Sequence, residues 1–307
     1  MRIEEINLND MSNNKLAYQF LLSQTSIANV DVENTTNARN VEGYSKDSFS
    51  FVQNSSELIP DTIKRVFSIE NFSNEPLVYD KRMLRLHSSE LAAFLFFSGV
   101  SEENPIRIPG IENVEFTNAS FEASFECVGG GPSRIDVLLK NSNNSVALFL
   151  EAKFSEYLHP APKSVSRSYK NDYERIKINT ILPDELARVD LDSKADFKIQ
   201  KKKGENALHY FYCEGVKQIL SHYIAISKGI CSSFKSIYLG EILFDFGKPG
   251  AHYLSDYAQL YRGLANNLNN SQSNVELLSS VLTYQEVFNL NAGYNLPSSV
   301  VQFYHLL

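Results

Sequence analysis

The sequence predicts an α/β domain whose elements run helix, three strands, helix, strand. Three observations carry this order. Within Leu84 to Gly99, an almost wholly apolar helix body from Glu90 to Phe97 is flanked by helix-start and helix-stop residues. Three β-prone runs, at about 114–127, 134–140 and 146–154, are joined by Gly-rich and Asn-rich turns. Apolar residues then recur at helical spacing from Ala207 to Lys228, before a strand-like run from Ser236 to Phe246. With 307 residues and 43% hydrophobic content, the chain can bury a large core.

In chain order, residues 1–83 form a polar N-terminal extension rich in Asn, Ser and Thr. Ser88 or Ser89 can cap the first helix, and Gly99 stops it. Glu90, in the first turn, suits the positive end of the helix dipole. The Gly129-Gly130-Gly131-Pro132 run forces a turn between the first two strands. The polar segment Asn141 to Asn144 closes a hairpin between the second and third, because Asn tolerates positive φ. Residues at about 155–206 read as an insertion that ends near the run Lys198, Lys201, Lys202 and Lys203. Phe211, Val216, Ile219, Leu220, Tyr223, Ile224 and Ile226 give the long helix its core face. The core thus spans 84–250, and 251–307 is expected to be a helical tail, with helices near 253–266, 275–288 and 297–306.

The hairpin is where chemistry shows. Asp136 lies among Ile135, Val137, Leu138 and Leu139, while Glu151 and Lys153 interrupt an otherwise apolar strand. Burying unpaired charge costs several kcal/mol, so such residues neutralise one another or hold a metal. A turn centred between Ser142 and Asn143 would pair Asp136 with Phe149 and Arg134 with Glu151. Alternation then puts Asp136, Glu151 and Lys153 on one face, with the two acids diagonal neighbours at roughly 7 to 8 Å. A divalent cation fits between two such carboxylates. An ion-pair network or a solvated charged face is the bland alternative for the same residues.

Asp136, followed one strand later by Glu151-Ala152-Lys153, resembles the signature of the PD-(D/E)XK nuclease superfamily, with Ile135 in place of the motif's proline. The resemblance covers about Leu84 to Phe246. It implies a restriction-endonuclease-like αβββαβ core with a mixed sheet, and a Mg²⁺- or Mn²⁺-dependent nuclease that hydrolyses DNA phosphodiester bonds. It implies further that Asp136, Glu151 and the carbonyl of Ala152 hold the cation and that Lys153 lies beside the attacking water. Glu90 holds the place of a helix residue that joins the metal site in many members, and Ser88-Ser89-Glu90 is similar to the Ser-Ser-Gln of an uncharacterised bacterial subfamily. Gln218 stands where members often carry a Gln on the following helix. There a Tyr usually stands four residues on, whereas His222 holds that spacing here. The lysines at 198 and 201–203 would clamp nucleic acid, or else form a solvated loop. The alternative is an inactive nuclease fold used as a scaffold or nucleic-acid-binding module.

Composition narrows the setting. Cys127, Cys213 and Cys231 are odd in number and far apart, and His87, His159, His209, His222, His252 and His305 are scattered, so neither a disulfide framework nor a zinc site is expected. No apolar run approaches the roughly 18 residues of a membrane span, and no signal-peptide pattern opens the chain, which points to a cytoplasmic protein without a membrane partner. A net charge of −7 gives no global attraction to nucleic acid, so binding would need a local cationic feature. DNA is preferred to RNA through the resemblance alone, and oligomeric state leaves no sequence signal.

Overall fold

The computed structural model describes residues 89–125, 133–158, 162–202, 212–229, 233–248, 250–271, 273–296, 300–301, 304 and 306. The expected N-terminal extension and Lys203 lie outside the described residues. Helix α1, Ser89–Phe97, has seven consecutive buried residues from Leu91 to Phe97, so every side of it is enclosed. Strands β1 (Phe116–Phe125), β2 (Ser133–Asn141) and β3 (Val146–Lys153) form an antiparallel meander. Helix α4, Cys213–Gly229, precedes β6, Ser236–Leu243, which pairs parallel to β3. The result is an α/β fold on a mixed six-stranded sheet.

Between β3 and α4 the insertion is structured. Strands β4 (Lys163–Val165) and β5 (Phe197–Ile199) form a small antiparallel ribbon against α4, and the short helices α2 (Lys170–Arg175) and α3 (Ile178–Ile181) lie between them in sequence. Downstream, α5 spans Ala251–Asn269. The expected helix over 275–288 is corrected. Val275–Leu277 is strand β7 and Leu282–Thr283 is strand β8, both parallel to β6, and only Tyr284–Leu290 is helical, as α6. Over so short a span, Val275, Leu277, Leu278, Val281 and Leu282 fit either period, and the backbone bonds offered by β6 decide for strands. Thr283 and Glu286 form a capping box that starts α6 where β8 ends. Among the described residues no helix is long and apolar enough to cross a membrane.

The core has two sides. Ile135, Val137 and Leu139 of β2 are buried and alternate with half-buried or exposed Arg134, Asp136, Leu138 and Lys140. Phe121 pairs with Val137, and its ring meets Phe94 of α1 edge-on at 4.6 Å, so α1 covers the apolar side. β3 is buried on both sides, as expected for a central strand.

The hairpin register differs from the expected one. Val137 pairs with Leu150 and Leu138 with Phe149. Asn141 causes the shift: its side-chain oxygen accepts from Ser145 N and Val146 N, each at 2.9 Å, while Asn144 takes φ +52°. The turn therefore centres one residue later. Each partner moves by two positions, so the side-chain faces are those expected.

Gly215 sets how closely α4 approaches α5. A Cβ there would collide with the Tyr257 hydroxyl and come within 2.6 Å of the Tyr212 ring. Gly215→Ala is expected to lower stability by about 1 to 3 kcal/mol despite alanine's better helix propensity. Denaturant unfolding checks this, and an unchanged or raised midpoint would show that the helix can shift outward.

Candidate active site

Pairing between β2 and β3 ends at Val137 and Leu150, and the next residue on each strand is an acid. Asp136 Oδ2 accepts a hydrogen bond from Ala152 N at 2.7 Å, so the carboxylate takes the place of a ladder carbonyl where the strands part. Continuing the register one step sets Asp136 across from Glu151. On the other side, β3 and β6 pair Glu151 with Glu241 directly. On β1, Glu122 falls between Phe121 and Ala123, the partners of Val137 and Ile135, and therefore beside Asp136. Glu122, Asp136, Glu151 and Glu241 thus occupy one row across four adjacent strands. Glu122 has φ +50°, a left-handed conformation that re-aims its side chain.

Glu151 is 3% exposed and fully engaged. Its Oε1 accepts from Lys153 Nζ at 2.5 Å and from Gln218 Nε2 at 2.6 Å, and its Oε2 lies 2.8 Å from His222 Nε2. Gln218 and His222 are four apart on α4, which brings both to the same carboxylate. With Glu151 ionised, His222 donates through Nε2, and in the neutral ring Nδ1 accepts from the Ser133 hydroxyl at 2.7 Å. Burial alone would raise the Glu151 pKa, but Lys153 and then His222 outweigh it and hold the carboxyl down to about 2. Lys153 also donates to the Ala152 carbonyl at 3.1 Å.

The neighbouring acids behave oppositely. Burial and then the charge of Glu151 push Asp136 well above the usual carboxylate range, with Lys153 opposing. Burial, followed by the charge and hydrogen bond of Glu90, pushes Glu122 up to about 8. Glu241, 0% exposed, is pushed by burial up to about 8 even though Lys153 and the Tyr257 hydroxyl, which donates to its Oε2, oppose this. Its Oε1 has no hydrogen-bond partner among the described residues.

Of the residues singled out in the sequence, Asp136, Glu151, Ala152, Lys153 and Gln218 are brought together. Glu90 is half-buried and partners Glu122. Lys198 is exposed on β5, and Lys201 and Lys202 are half-buried just beyond it. The ammonium group bonded to Glu151 belongs to Lys153. Sequence reasoning missed Glu122, His222, Glu241 and Tyr257. His222 had a signal in its spacing from Gln218, and Glu241 had one as a charge inside an apolar strand. Nothing local announces the left-handed turn at Glu122.

As a cation site, Asp136, Glu151 and the Ala152 carbonyl supply hard oxygen donors, and the raised Asp136 pKa marks a surplus of carboxylates that a cation would relieve. The set fits Mg²⁺ or Mn²⁺ in donor chemistry. It holds only two acids, and among the described residues no group of three or more His, Cys, Asp or Glu is placed to hold a metal ion.

The raised carboxyls give a pH test. Glu241 keeps its proton in the folded state up to about 8 but loses it near 4.5 when unfolded, so its contribution to stability is complete below 4.5 and is lost as pH rises through about 8. Glu122 acts in the same sense and window, whereas the depressed Glu151 matters only between 4.5 and about 2. Each such proton tilts stability by at most about 1.4 kcal/mol per pH unit. Melting temperature should therefore fall from pH 5.5 to 8.5, and Glu241→Gln should flatten that fall. Equal slopes in wild type and variant would mean that Glu241 is ionised throughout.

No family model, curated protein or solved structure matches the chain, so the chemistry of the site stands on its own residues.

Proposed function

We propose that the chain is a Mg²⁺- or Mn²⁺-dependent nuclease that hydrolyses DNA phosphodiester bonds, with the PD-(D/E)XK arrangement that its hairpin resembles. The observation that carries this reading is the fork itself: Asp136 and Glu151 across from one another where β2 and β3 part, with Lys153 on the same strand and face as Glu151. The order helix, three antiparallel strands, helix, parallel strand supports it.

On this reading Asp136, Glu151 and the Ala152 carbonyl would hold the cation, which when bound supplies Lewis-acid polarisation of the phosphate. Lys153 lies against those donors and contributes its positive charge where negative charge builds on the phosphate or on the attacking water. Gln218 and His222 fix the Glu151 rotamer from α4, and Ser133 orients the histidine. Glu90 and Glu122 share the flank of the row, where they can order a water.

A second reading has its own support. Glu151 already receives hydrogen bonds on both oxygens, as a closed ion-pair network in an inactive scaffold also would.

Substitution separates the two. Lys153→Met keeps the apolar stem and removes the ammonium, so Mg²⁺ or Mn²⁺ binding should persist while cleavage of plasmid and linear DNA falls by roughly two to three orders of magnitude. Asp136→Asn should weaken metal binding as well. Calorimetric metal titration alongside cleavage gels reads both effects, and wild-type protein that binds metal but cuts no nucleic acid would favour the scaffold.

A further inference from the structure

A row of acids in a chain of net charge −7 is a poor landing place for a polyanion. Lys153 does not solve this, because it is 5% exposed and committed to Glu151 and Ala152. Arg134 has the missing properties. It is exposed on β2, two residues from Asp136 and therefore on the same face, and it pairs across β1 with Ser124. Continuing the β2–β3 register past the fork sets it across from Lys153, so a cationic row follows directly outside the acidic one.

No acid among the described residues bonds its guanidinium. Arg107, Lys163, Lys170 and Arg188 are engaged by Glu115, Glu214, Glu174 and Asp184. Arg134 forms no hydrogen bond or ion pair among the described residues, although its charge is felt at Glu122. A guanidinium presents a planar fork of donors that matches two phosphate oxygens, a geometry an ammonium lacks.

We infer that Arg134 is a substrate-binding residue that grips a backbone phosphate of the nucleic acid beside the Asp136–Glu151 fork. This inference rests on the nuclease reading and names the group that offsets the repulsion of the acids. Such a contact positions the strand without reading its sequence.

The test is equilibrium binding of a fluorescein-labelled DNA duplex, followed by anisotropy across a series of KCl concentrations. It is run once in EDTA and once in Ca²⁺, a hard cation that carboxylates also accept. Arg134→Ala should weaken binding about tenfold at low salt and reduce the slope of log K against log salt by about 1. Arg134→Lys should restore the slope but not the full affinity, since the ammonium keeps the charge and loses the fork. Lys140→Ala, on the same strand and face but away from the fork, should leave the slope nearer to wild type. Matching melting temperatures show that the variants fold. If wild type binds and Arg134→Ala binds identically, the Arg134 inference falls and the nuclease reading stands. An equal loss in Lys140→Ala would reduce the effect to bulk charge and overturn the positional claim. Wild type that binds DNA in neither buffer would remove the nuclease reading, and this inference with it.

Discussion

An ionised carboxylate inside a sheet has to be compensated by its neighbours, and at Glu151 three side chains from two elements meet to do so. Lys153 comes from the same strand, while Gln218 and His222 come from α4. Breaking a buried pair by removing one partner costs about 3 to 5 kcal/mol, because the other charge stays buried. The position of α4 over the sheet is therefore tied to one side chain of β3. Its close approach to α5 at Gly215 and the ring contact of Tyr212 with Tyr257 at 5.2 Å extend the same constraint to the tail.

The acid row divides its protons unevenly. Adjacent strands lie about 4.8 Å apart, so neighbouring carboxyls in one row cannot all ionise in a low-dielectric interior. Glu151 takes the charge because the Lys153 ammonium and the hydrogen bonds of Gln218 and His222 converge on it, and Asp136, Glu122 and Glu241 are pushed towards the protonated form. The sheet thus holds one settled anion flanked by acids that a further positive charge could ionise. On the nuclease reading this is a useful resting state, since the lysine keeps the site neutralised until a cation and a phosphate compete for it. On the scaffold reading the same arrangement is simply a satisfied network.

Local pattern carried much of this architecture. The element order, the hairpin and the shared face of Asp136, Glu151 and Lys153 were legible, because strand alternation and turn chemistry are short-range properties. The register was not: Asn141 capping Ser145 and Val146 moved the turn by one residue, and the faces survived only because partners shifted in steps of two. In the tail, residues 275–283 depart from the helical pattern, because strands as short as β7 and β8 have no pattern of their own until β6 offers them backbone partners.

The sequence by itself determined that charges would sit in an apolar hairpin and that they would share a face, because a period of two follows from strand geometry. Only the tertiary structure decided which acid is ionised, since that depends on α4 bringing Gln218 and His222 to Glu151 and on β6 setting Glu241 beside it. Burial of an acid and the direction of its pKa are properties of neighbours distant in the chain, and no local pattern encodes them.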